Sequence, residues 1–391
     1  MALVTGCRAT SRDAPPRATA TPVPPPTSQK TERAGVAVYV DDELMLDYRP
    51  DSSLVTKTTA VTRPKFPVID LHCHWSLRQK PEQLIAAMDE LGITKAVNLS
   101  GGHGEALEKM LAASQTVSKD RLLVFCNLDL TRVDEPTFAA DVVRFLEDAR
   151  ARGAAGVKVF KNLGLTVKDK LGRRVSVDDP RLSPAWEACA RLKLPVLIHS
   201  GDPSAFFKPV DRRNERWMQL RRHPDWDFAC SGFPTYDEVM AEHTRLIERH
   251  PNTVFISAHL ANSGEDLAKL SKWLDRLPNL YVDLSGRVPE LGRQPYAGRK
   301  FLIKYQDRVC FGTDRYPGRI DQPRELIYYR YLETDDEYFN YYDNPFPTEG
   351  DWRIYGAYLP DEVLKKIYHG NAERALGGLP PRAAPDDGRG R

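Results

Sequence analysis

Residues 68–74 read Val68-Ile69-Asp70-Leu71-His72-Cys73-His74. The apolar, β-branched start of this stretch predicts a buried strand, and the strand ends in two histidines. Side chains two positions apart on a strand share a face, so His72 and His74 should point to the same side of the sheet. Asp70 has the same parity and is expected to orient one of the two imidazoles.

Seven more apolar runs follow, each short and bounded by Gly, Pro or Asn. They are Ala96–Leu99, Leu122–Cys126, Gly156–Phe160, Pro195–Ile198, Val254–Ala258, Leu280–Leu284 and Val309–Phe311. Amphipathic segments separate them; in residues 81–91, Leu84, Met88 and Leu91 share one face. Eight buried strands alternating with helices predict an α/β fold of the TIM (β/α)8 barrel type. A doubly wound open sheet would normally carry a glycine-rich turn after its first strand, where this chain has His72-Cys73-His74.

The two ends of the chain differ in composition from this core. Residues 8–34 are rich in Pro, Thr, Ala, Ser and Arg, which predicts disorder. We therefore predict a disordered tether over residues 1–35, a short β-rich extension over 36–65, the barrel over 66–378 and a disordered tail over 379–391.

The run Leu3-Val4-Thr5-Gly6-Cys7 resembles a bacterial lipobox, in which the cysteine is lipidated after signal cleavage. A secretion signal needs a charged region and roughly 7–15 apolar residues upstream, but only Met1 and Ala2 precede this run. One interpretation is a truncated lipoprotein signal with a mis-assigned start, which predicts a cell-envelope or periplasmic protein anchored through Cys7. The other is a chance match in a cytoplasmic protein.

The overall composition is that of a globular protein. Of the 391 residues, 41% are hydrophobic and 28% are charged, and the formal net charge is only +2. A nucleic-acid or membrane-surface partner would need clustered basic charge, which the sequence lacks. The expected partner is a small-molecule substrate, with a second copy of the chain as the other possibility.

Three further polar residues directly follow predicted strands, as His72 and His74 do. His199 follows the fifth strand, His259 the sixth and Asp314 the eighth. In a barrel, catalytic groups come from the carboxyl ends of different strands and converge at one face. Any one of these residues alone would more often be a satisfied core residue, but five of them at four strand ends is improbable by chance.

This ordered set of motifs resembles the amidohydrolase superfamily, specifically the amidohydrolase-related branch of hydrolases, lactonases and decarboxylases. The resemblance spans residues 66–378. It rests on Ile69-Asp70-Leu71-His72-Cys73-His74, Ile198-His199-Ser200-Gly201, Ala258-His259-Leu260, Phe311-Gly312-Thr313-Asp314 and His369-Gly370-Asn371-Ala372-Glu373-Arg374.

The resemblance implies a metal site and a chemistry. It implies His72, His74, His199 and Asp314 as metal ligands and His259 as a group that acts on the substrate. Three imidazoles and a carboxylate suit one divalent ion, with zinc expected and one position left for water. Asp314 would accept the proton of the metal-activated water, and His259 would polarise the scissile carbonyl or protonate the leaving group.

The fourth predicted strand carries two lysines, Lys158 and Lys161. Facing the helices would bury an unpaired charge, so Lys158 is expected to face the barrel interior. We predict one metal, with Lys158 as a contact to substrate or water. The alternative is a carboxylated Lys158 that bridges two metals, as in some amidohydrolases. Lys161 has the opposite parity and is expected to be solvated.

Two connections, over about 201–235 and 315–360, are too long for simple turns and are predicted to be functional lids. Both are rich in aromatic residues, which suits an apolar or aromatic substrate but equally suits a subunit interface. Arg287 and Arg315 follow the last two strands, and either is a candidate for binding a substrate carboxylate. Trp75, next to His74, is a further candidate substrate contact.

These observations favour hydrolysis of an amide, ester or lactone. The alternative is non-oxidative decarboxylation of an aromatic or unsaturated acid at the same site, which should need Arg287 or Arg315 inside the pocket to hold the carboxylate. A third interpretation is an envelope binding protein that keeps the barrel without the chemistry. Metal-dependent deoxyribonuclease relatives share the HxH motif, but the near-neutral charge argues against them.

Overall fold

The computed structural model describes residues 52–315, 317, 325–342 and 348–382, together with the backbone of 29–33, 36–40 and 324. These residues fall into two compact units. In the smaller unit, β1 (Gln29–Arg33) pairs antiparallel with β2 (Val36–Val40). The second strand falls in the predicted β-rich extension over 36–65, and the first falls in the residues predicted as the tether over 1–35. The lipobox interpretation at Cys7 lies outside the described residues, as does the predicted tail beyond residue 382.

The larger unit contains eight parallel strands, each hydrogen-bonded to the next in chain order. They are β3 (Val68–Cys73), β4 (Ile93–Asn98), β5 (Leu122–Asn127), β6 (Gly156–Val159), β7 (Val196–Ile198), β8 (Phe255–Ser257), β9 (Leu280–Asp283) and β10 (Val309–Cys310). Two backbone hydrogen bonds join the last strand to the first, from Leu71 N to Phe311 O (3.1 Å) and from Asp314 N to His72 O (2.7 Å). This arrangement confirms the predicted TIM barrel.

The described part of this unit also contains helical segments, most of which cover the outside of the strands, as the amphipathic pattern predicts. They are α1 (Pro81–Leu91), α2 (Gly104–Ser118), α3 (Phe138–Ala151), α4 (Ser183–Leu192), α5 (Trp217–Arg222), α6 (Tyr236–Arg249), the single turn α7 (Ala258–Ala261), α8 (Leu267–Arg276), α9 (Val288–Gly292), α10 (Pro295–Lys304), α11 (Arg324–Glu333), α12 (Asp361–Lys365) and α13 (Asn371–Leu376). A π-helical turn, Lys366–Gly370, joins the last two helices. None of the described helices is long and apolar enough to cross a membrane.

Two hydrophobic clusters pack on opposite faces of the strands. The smaller cluster includes Leu71, Phe125, Leu197, Ile256 and Tyr281, which are the inward-facing residues of their strands. The larger cluster lies between the strands and the surrounding helices. Polar side chains occupy inward-facing positions beyond the smaller cluster, at the carboxyl ends of the strands.

The two long connections predicted to be lids contain structure of their own. The first contains α5 and two 3₁₀ turns, Ser204–Phe207 and Pro224–Trp226. The described part of the second contains α11. Side chains from both connections line a cavity at the carboxyl ends of the strands, so both predicted lids lie over the barrel mouth.

Candidate active site

A cavity of about 440 Å³ opens at the carboxyl ends of β7 to β10. Its wall includes His199, His259, Arg287, Asp314 and Arg315, which sequence reasoning had singled out. The structure thus brings residues from four strand ends to one space.

Asp314 lies between the two histidines of β3. Its Oδ1 is 3.2 Å from His72 Nε2 and 3.2 Å from His74 Nε2. The backbone of Asp314 is left-handed, with φ of 61°. Its N–H donates to His72 O, which ties this residue to the first strand of the barrel. Its carboxylate remains 43% exposed, so a ligand can reach it from the cavity.

A buried carboxylate that sequence reasoning missed, Asp283 at the end of β9, fixes His72. The Nδ1 of His72 lies 2.8 Å from Asp283 Oδ2. Burial alone would raise the pKa of Asp283, but His72 and the bonds from His72 and Ser285 hold it well below its usual range. The ionised carboxylate only accepts, so His72 Nδ1 carries a proton, and Nε2 is the nitrogen that faces Asp314.

His259 lies on a left-handed turn that follows β8. His259, Leu260, Ala261 and Asn262 all have φ between 49° and 58°, a conformation that costs roughly 1–2 kcal/mol for each residue other than glycine. His259 N donates to Asp283 Oδ1 (3.0 Å), which helps to hold the turn. The sequence carries no glycine at these positions to signal it.

The tautomer of His259 follows from its partner. Its Nδ1 is 2.8 Å from Ser285 O, and because a carbonyl oxygen only accepts, Nδ1 carries the proton. The unprotonated Nε2 faces Asp314 Oδ2 at 4.0 Å. Burial and the neighbouring His199 hold the pKa of His259 well below its usual value, so the imidazole is neutral.

His199 packs edge-on against His259, with ring centroids 4.4 Å apart. Its Nε2 is buried and has no hydrogen-bond partner among the described residues; the nearest carboxylate oxygen, Asp202 Oδ1, is 3.6 Å away. Asp202 is instead bonded to Lys161 (2.6 Å), which therefore lies at the cavity and not in bulk solvent. A buried nitrogen without a partner is what an incoming metal ion would satisfy.

The residues present fit a divalent metal ion. His72, His74 and Asp314 converge directly, while His199 contacts His259 and offers an unused nitrogen. The ligand atoms of His72, His259 and Asp314 lie within 4.8 Å of one another, so His259 is close enough to compete with His74 or His199 as a ligand. Imidazole and carboxylate donors of this kind suit zinc and similar ions.

Lys158 faces the barrel interior, as the burial argument predicts. It is 1% exposed, and its Nζ lies 3.4 Å from His72 Nε2. Burial lowers its pKa to about 8. No carboxylate of the described residues lies within ion-pair distance of Lys158 Nζ. The ammonium group therefore has His72 as its polar neighbour in the site.

The three candidate substrate contacts fall in different places. Arg287 is 7% exposed and lines the cavity, where no carboxylate of the described chain pairs with it. Arg315 also lines the cavity, and its carbonyl oxygen accepts from His74 N at 2.8 Å. Trp75 is 4% exposed, packs in the outer hydrophobic cluster and does not line the cavity. Its parity is opposite to that of His72 and His74, so it faces the helices.

The expectation that Asp70 orients an imidazole is wrong. The register of β3 shifts between Asp70 and Cys73, and this irregularity breaks the alternation of side chains. Asp70 instead bonds Thr313 Oγ1 (2.6 Å) and the backbone N–H of His72 and Thr313. Ser100 takes the predicted role for His74, whose Nδ1 it meets at 2.7 Å.

Comparison with known proteins agrees with this geometry. An amidohydrolase family model matches residues 69–378. The chain belongs to the amidohydrolase family. Among curated proteins, none matches it. Family membership supports a metal-dependent hydrolase or decarboxylase.

Solved structures resemble this amidohydrolase at low identity. An uncharacterized TIM-barrel protein of Bordetella bronchiseptica is 17% identical with a TM-score of 0.50, over 80% of this chain and 99% of that one. A 2,6-dihydroxybenzoate decarboxylase from Rhizobium is 18% identical over the same shares, with a TM-score of 0.49. A probable 2-pyrone-4,6-dicarboxylic acid hydrolase of Acinetobacter baumannii is 14% identical over 80% of this chain and all of that one, with a TM-score of 0.44. At such identities the likeness concerns the fold alone.

A buried histidine behind the site predicts an acid-sensitive fold. His243 of α6 bonds Ser200 Oγ (2.9 Å) and Ser257 Oγ (2.7 Å), at the ends of the strands that carry His199 and His259. Burial lowers its pKa to about 4, whereas an unfolded histidine titrates near about 6.5. Because the pKa is lower in the folded state, neutral His243 contributes fully to the unfolding free energy above about pH 6.5. This contribution, up to about 3 kcal/mol, is lost as the pH falls toward 4.

We expect His243→Gln to flatten the pH dependence of the unfolding free energy between about pH 4 and 6.5. Urea unfolding at several pH values measures this slope. His103→Gln, at an exposed histidine, is the control for the loss of an imidazole. An unchanged slope in His243→Gln would show that His243 does not titrate on unfolding.

Proposed function

We propose that this amidohydrolase is a metal-dependent hydrolase that cleaves a C–N or C–O bond in a small organic substrate bearing a carboxylate. One observation carries the proposal: the neutral His259 turns an unprotonated Nε2 toward Asp314 Oδ2, 4.0 Å away, beside His72. One water molecule lying beside these two acceptors could donate a hydrogen bond to each, an arrangement that suits the removal of a proton from water.

The groups that would hold the ion are His72, His74, His199 and Asp314, with zinc as the expected metal. Such an ion, when bound, lowers the pKa of a water molecule and polarises a carbonyl group. Asp283 fixes a proton of His72 on Nδ1, and Ser100 contacts Nδ1 of His74, so in both rings Nε2 is the nitrogen directed at the site.

His259 and Asp314 divide the proton transfers between them. The low pKa of His259 keeps Nε2 unprotonated, so this nitrogen starts as an acceptor. Asp314, whose pKa neighbouring histidines hold well below its usual range, is the second acceptor. A proton taken from water by either group can then pass to the departing nitrogen or oxygen of the substrate.

Lys158 is proposed as a contact to water or to a substrate oxygen, because its Nζ lies beside His72 Nε2. The alternative, a carboxylated Lys158 bridging a second ion, predicts two metals for each chain where the proposal predicts one. Metal stoichiometry by mass spectrometry distinguishes the two.

A second candidate function is non-oxidative decarboxylation, and the position of Arg287 favours it. Its guanidinium lines the cavity, its Nε is buried without a hydrogen-bond partner, and no described carboxylate neutralises it. An anion held at this position would be the group that leaves in a decarboxylase and a binding handle in a hydrolase.

A substrate screen separates the two functions. The metal-loaded protein is offered amides, esters, lactones and aromatic acids, and both hydrolysis products and released CO₂ are measured. Cleavage of a C–N or C–O bond without CO₂ supports the proposal, and stoichiometric CO₂ from an acid supports the alternative. Bond cleavage that persists in full in His199→Ala would contradict the assigned site.

Arg287→Gln is expected to weaken binding of a carboxylate by roughly 10- to 100-fold, because a charge-assisted hydrogen bond contributes about 1.5–3 kcal/mol. Benzoate titrated into the metal-loaded protein by calorimetry is the probe. Arg276→Gln, which removes an exposed cation paired with Glu248, is the matched control and should leave benzoate affinity unchanged. If wild type and Arg287→Gln bound benzoate equally well, the proposal that the substrate bears a carboxylate held by Arg287 would be wrong.

A further inference from the structure

Asn262 ends the left-handed turn that carries His259. It is fully buried, with φ of 49° and ψ of 33°. Among residues other than glycine, asparagine tolerates this conformation best, so its backbone suits the end of the turn. The carbonyl of Asn262 accepts from the hydroxyl of Tyr236 on α6 at 2.9 Å, which ties the turn to the outer helix layer.

The side chain of Asn262 connects two other parts of the site. Its Nδ2 donates to Ser200 O (3.0 Å) and Gly201 O (3.1 Å), the residues directly after His199. Its Oδ1 accepts from Arg287 Nη2 at 2.8 Å. Both amide protons and the amide oxygen are therefore used, each by a group next to or within the candidate site.

These bonds constrain the groups that face the cavity. Arg287 is held by Asn262 at Nη2 and by Gly286 O at Nη1, so the orientation of its guanidinium depends on this amide. His259 lies three residues before Asn262 in the same turn, and Asn262 N donates to His259 O at 2.9 Å. Moving Asn262 would thus shift His259, Arg287 and the strand end of His199 together.

We propose that Asn262 is a positioning residue that fixes His259, Arg287 and the strand end carrying His199 in one arrangement. The inference rests on the proposed function, in which His259 acts on the substrate and Arg287 binds its carboxylate. Asn262 itself does not line the cavity and acts through these three neighbours.

Two substitutions separate the backbone from the side chain. Asn262→Gly keeps the left-handed conformation, and is the variant designed to fold, but loses all three side-chain bonds. Asn262→Asp keeps an acceptor for Arg287, loses both donors and sets a carboxylate against two carbonyl oxygens. Asn279→Asp is the matched control, because Asn279 is also buried and donates to His250 O and Thr253 O, at the opposite end of the barrel.

Zinc affinity, benzoate affinity of the zinc-loaded protein and melting temperature are measured for each variant. We expect both Asn262 variants to bind zinc about tenfold more weakly, the lower end of what is typical when a group that orients ligands is lost. Benzoate affinity should fall in Asn262→Gly and fall further in Asn262→Asp, whose new carboxylate neutralises Arg287. Asn279→Asp should lower the melting temperature alone.

Two outcomes overturn the proposal. One is Asn262 variants that resemble Asn279→Asp, with a lower melting temperature and unchanged affinities. The other is a crystal structure of Asn262→Gly in which the guanidinium of Arg287 and the separation of His259 Nε2 from Asp314 Oδ2 are unchanged. The crystal structure tests the role of Asn262 even if the wild-type protein binds no benzoate. Absence of benzoate binding to wild type would count against the proposed substrate carboxylate and not against the role of Asn262.

Discussion

Asp314→Asn is expected to abolish turnover and to lower metal affinity by more than about 100-fold. Loss of a residue that only orients a metal ligand typically costs roughly 10- to 100-fold in affinity, and loss of a ligand should cost more. Asparagine keeps the size of the side chain and one carbonyl oxygen but removes the negative charge. That charge lies 3.2 Å from both His72 Nε2 and His74 Nε2, where it would attract a divalent cation and accept a proton.

Dialysis against a metal buffer followed by mass spectrometry measures the affinity of Asp314→Asn. The matched control is Asp266→Asn, which removes an exposed carboxylate that caps α8 away from the histidines. If Asp314→Asn and Asp266→Asn retained equal metal, Asp314 would not be a ligand.

Asp283→Asn is expected to affect both stability and the metal. Asp283 is fully buried and accepts from His72 Nδ1, His259 N and the N–H and hydroxyl of Ser285. An amide would set an N–H against one of these donors, at an expected cost of about 3 kcal/mol of unfolding free energy. Metal affinity should fall by roughly 10- to 100-fold, because His72 loses the partner that fixes its tautomer.

Asp336→Asn is the control for Asp283→Asn. Asp336 is equally buried and bonds Thr59 N (2.7 Å), Thr59 Oγ1 (2.6 Å) and Arg330 Nε (2.7 Å), none of which belongs to the site. Asp336→Asn should lose a similar amount of unfolding free energy, measured by urea unfolding, and should keep the metal affinity of the wild type. A metal affinity unchanged in Asp283→Asn as well would mean that Asp283 supports the fold alone.

The barrel was predictable because strands buried on both faces appear as short apolar runs at a regular spacing. The same rule located His72, His74, His199 and Asp314, since a polar residue directly after such a run lies at the barrel mouth. The predicted direction of Lys158 followed from the cost of burying an unpaired charge.

Other features depend on geometry that no periodicity reveals. The register shift in β3 turns Asp70 away from the imidazoles, although the sequence from Asp70 to His74 places Asp70, His72 and His74 at alternate positions. The left-handed turn from His259 to Asn262 contains no glycine, so nothing marked Asn262 as a contact of Arg287. Asp283 did carry a signal, because a carboxylate ending a buried strand must find partners.

The long connections were predicted as lids from their length, but their contents were not. α5 is only six residues long, and α11 shows little segregation of apolar residues to one face. Both elements bury side chains in the outer hydrophobic cluster (Leu220, Tyr329 and Leu332), and such tertiary contacts are not encoded in a local pattern.

The measurement that tests the metal site most directly is a crystal structure of the zinc-loaded protein with anomalous scattering at the zinc edge. We predict one peak for each chain, about 2.0–2.2 Å from Nε2 of His72, His74 and His199 and from a carboxylate oxygen of Asp314. A peak away from these four residues, or no peak at saturating zinc, would contradict the account.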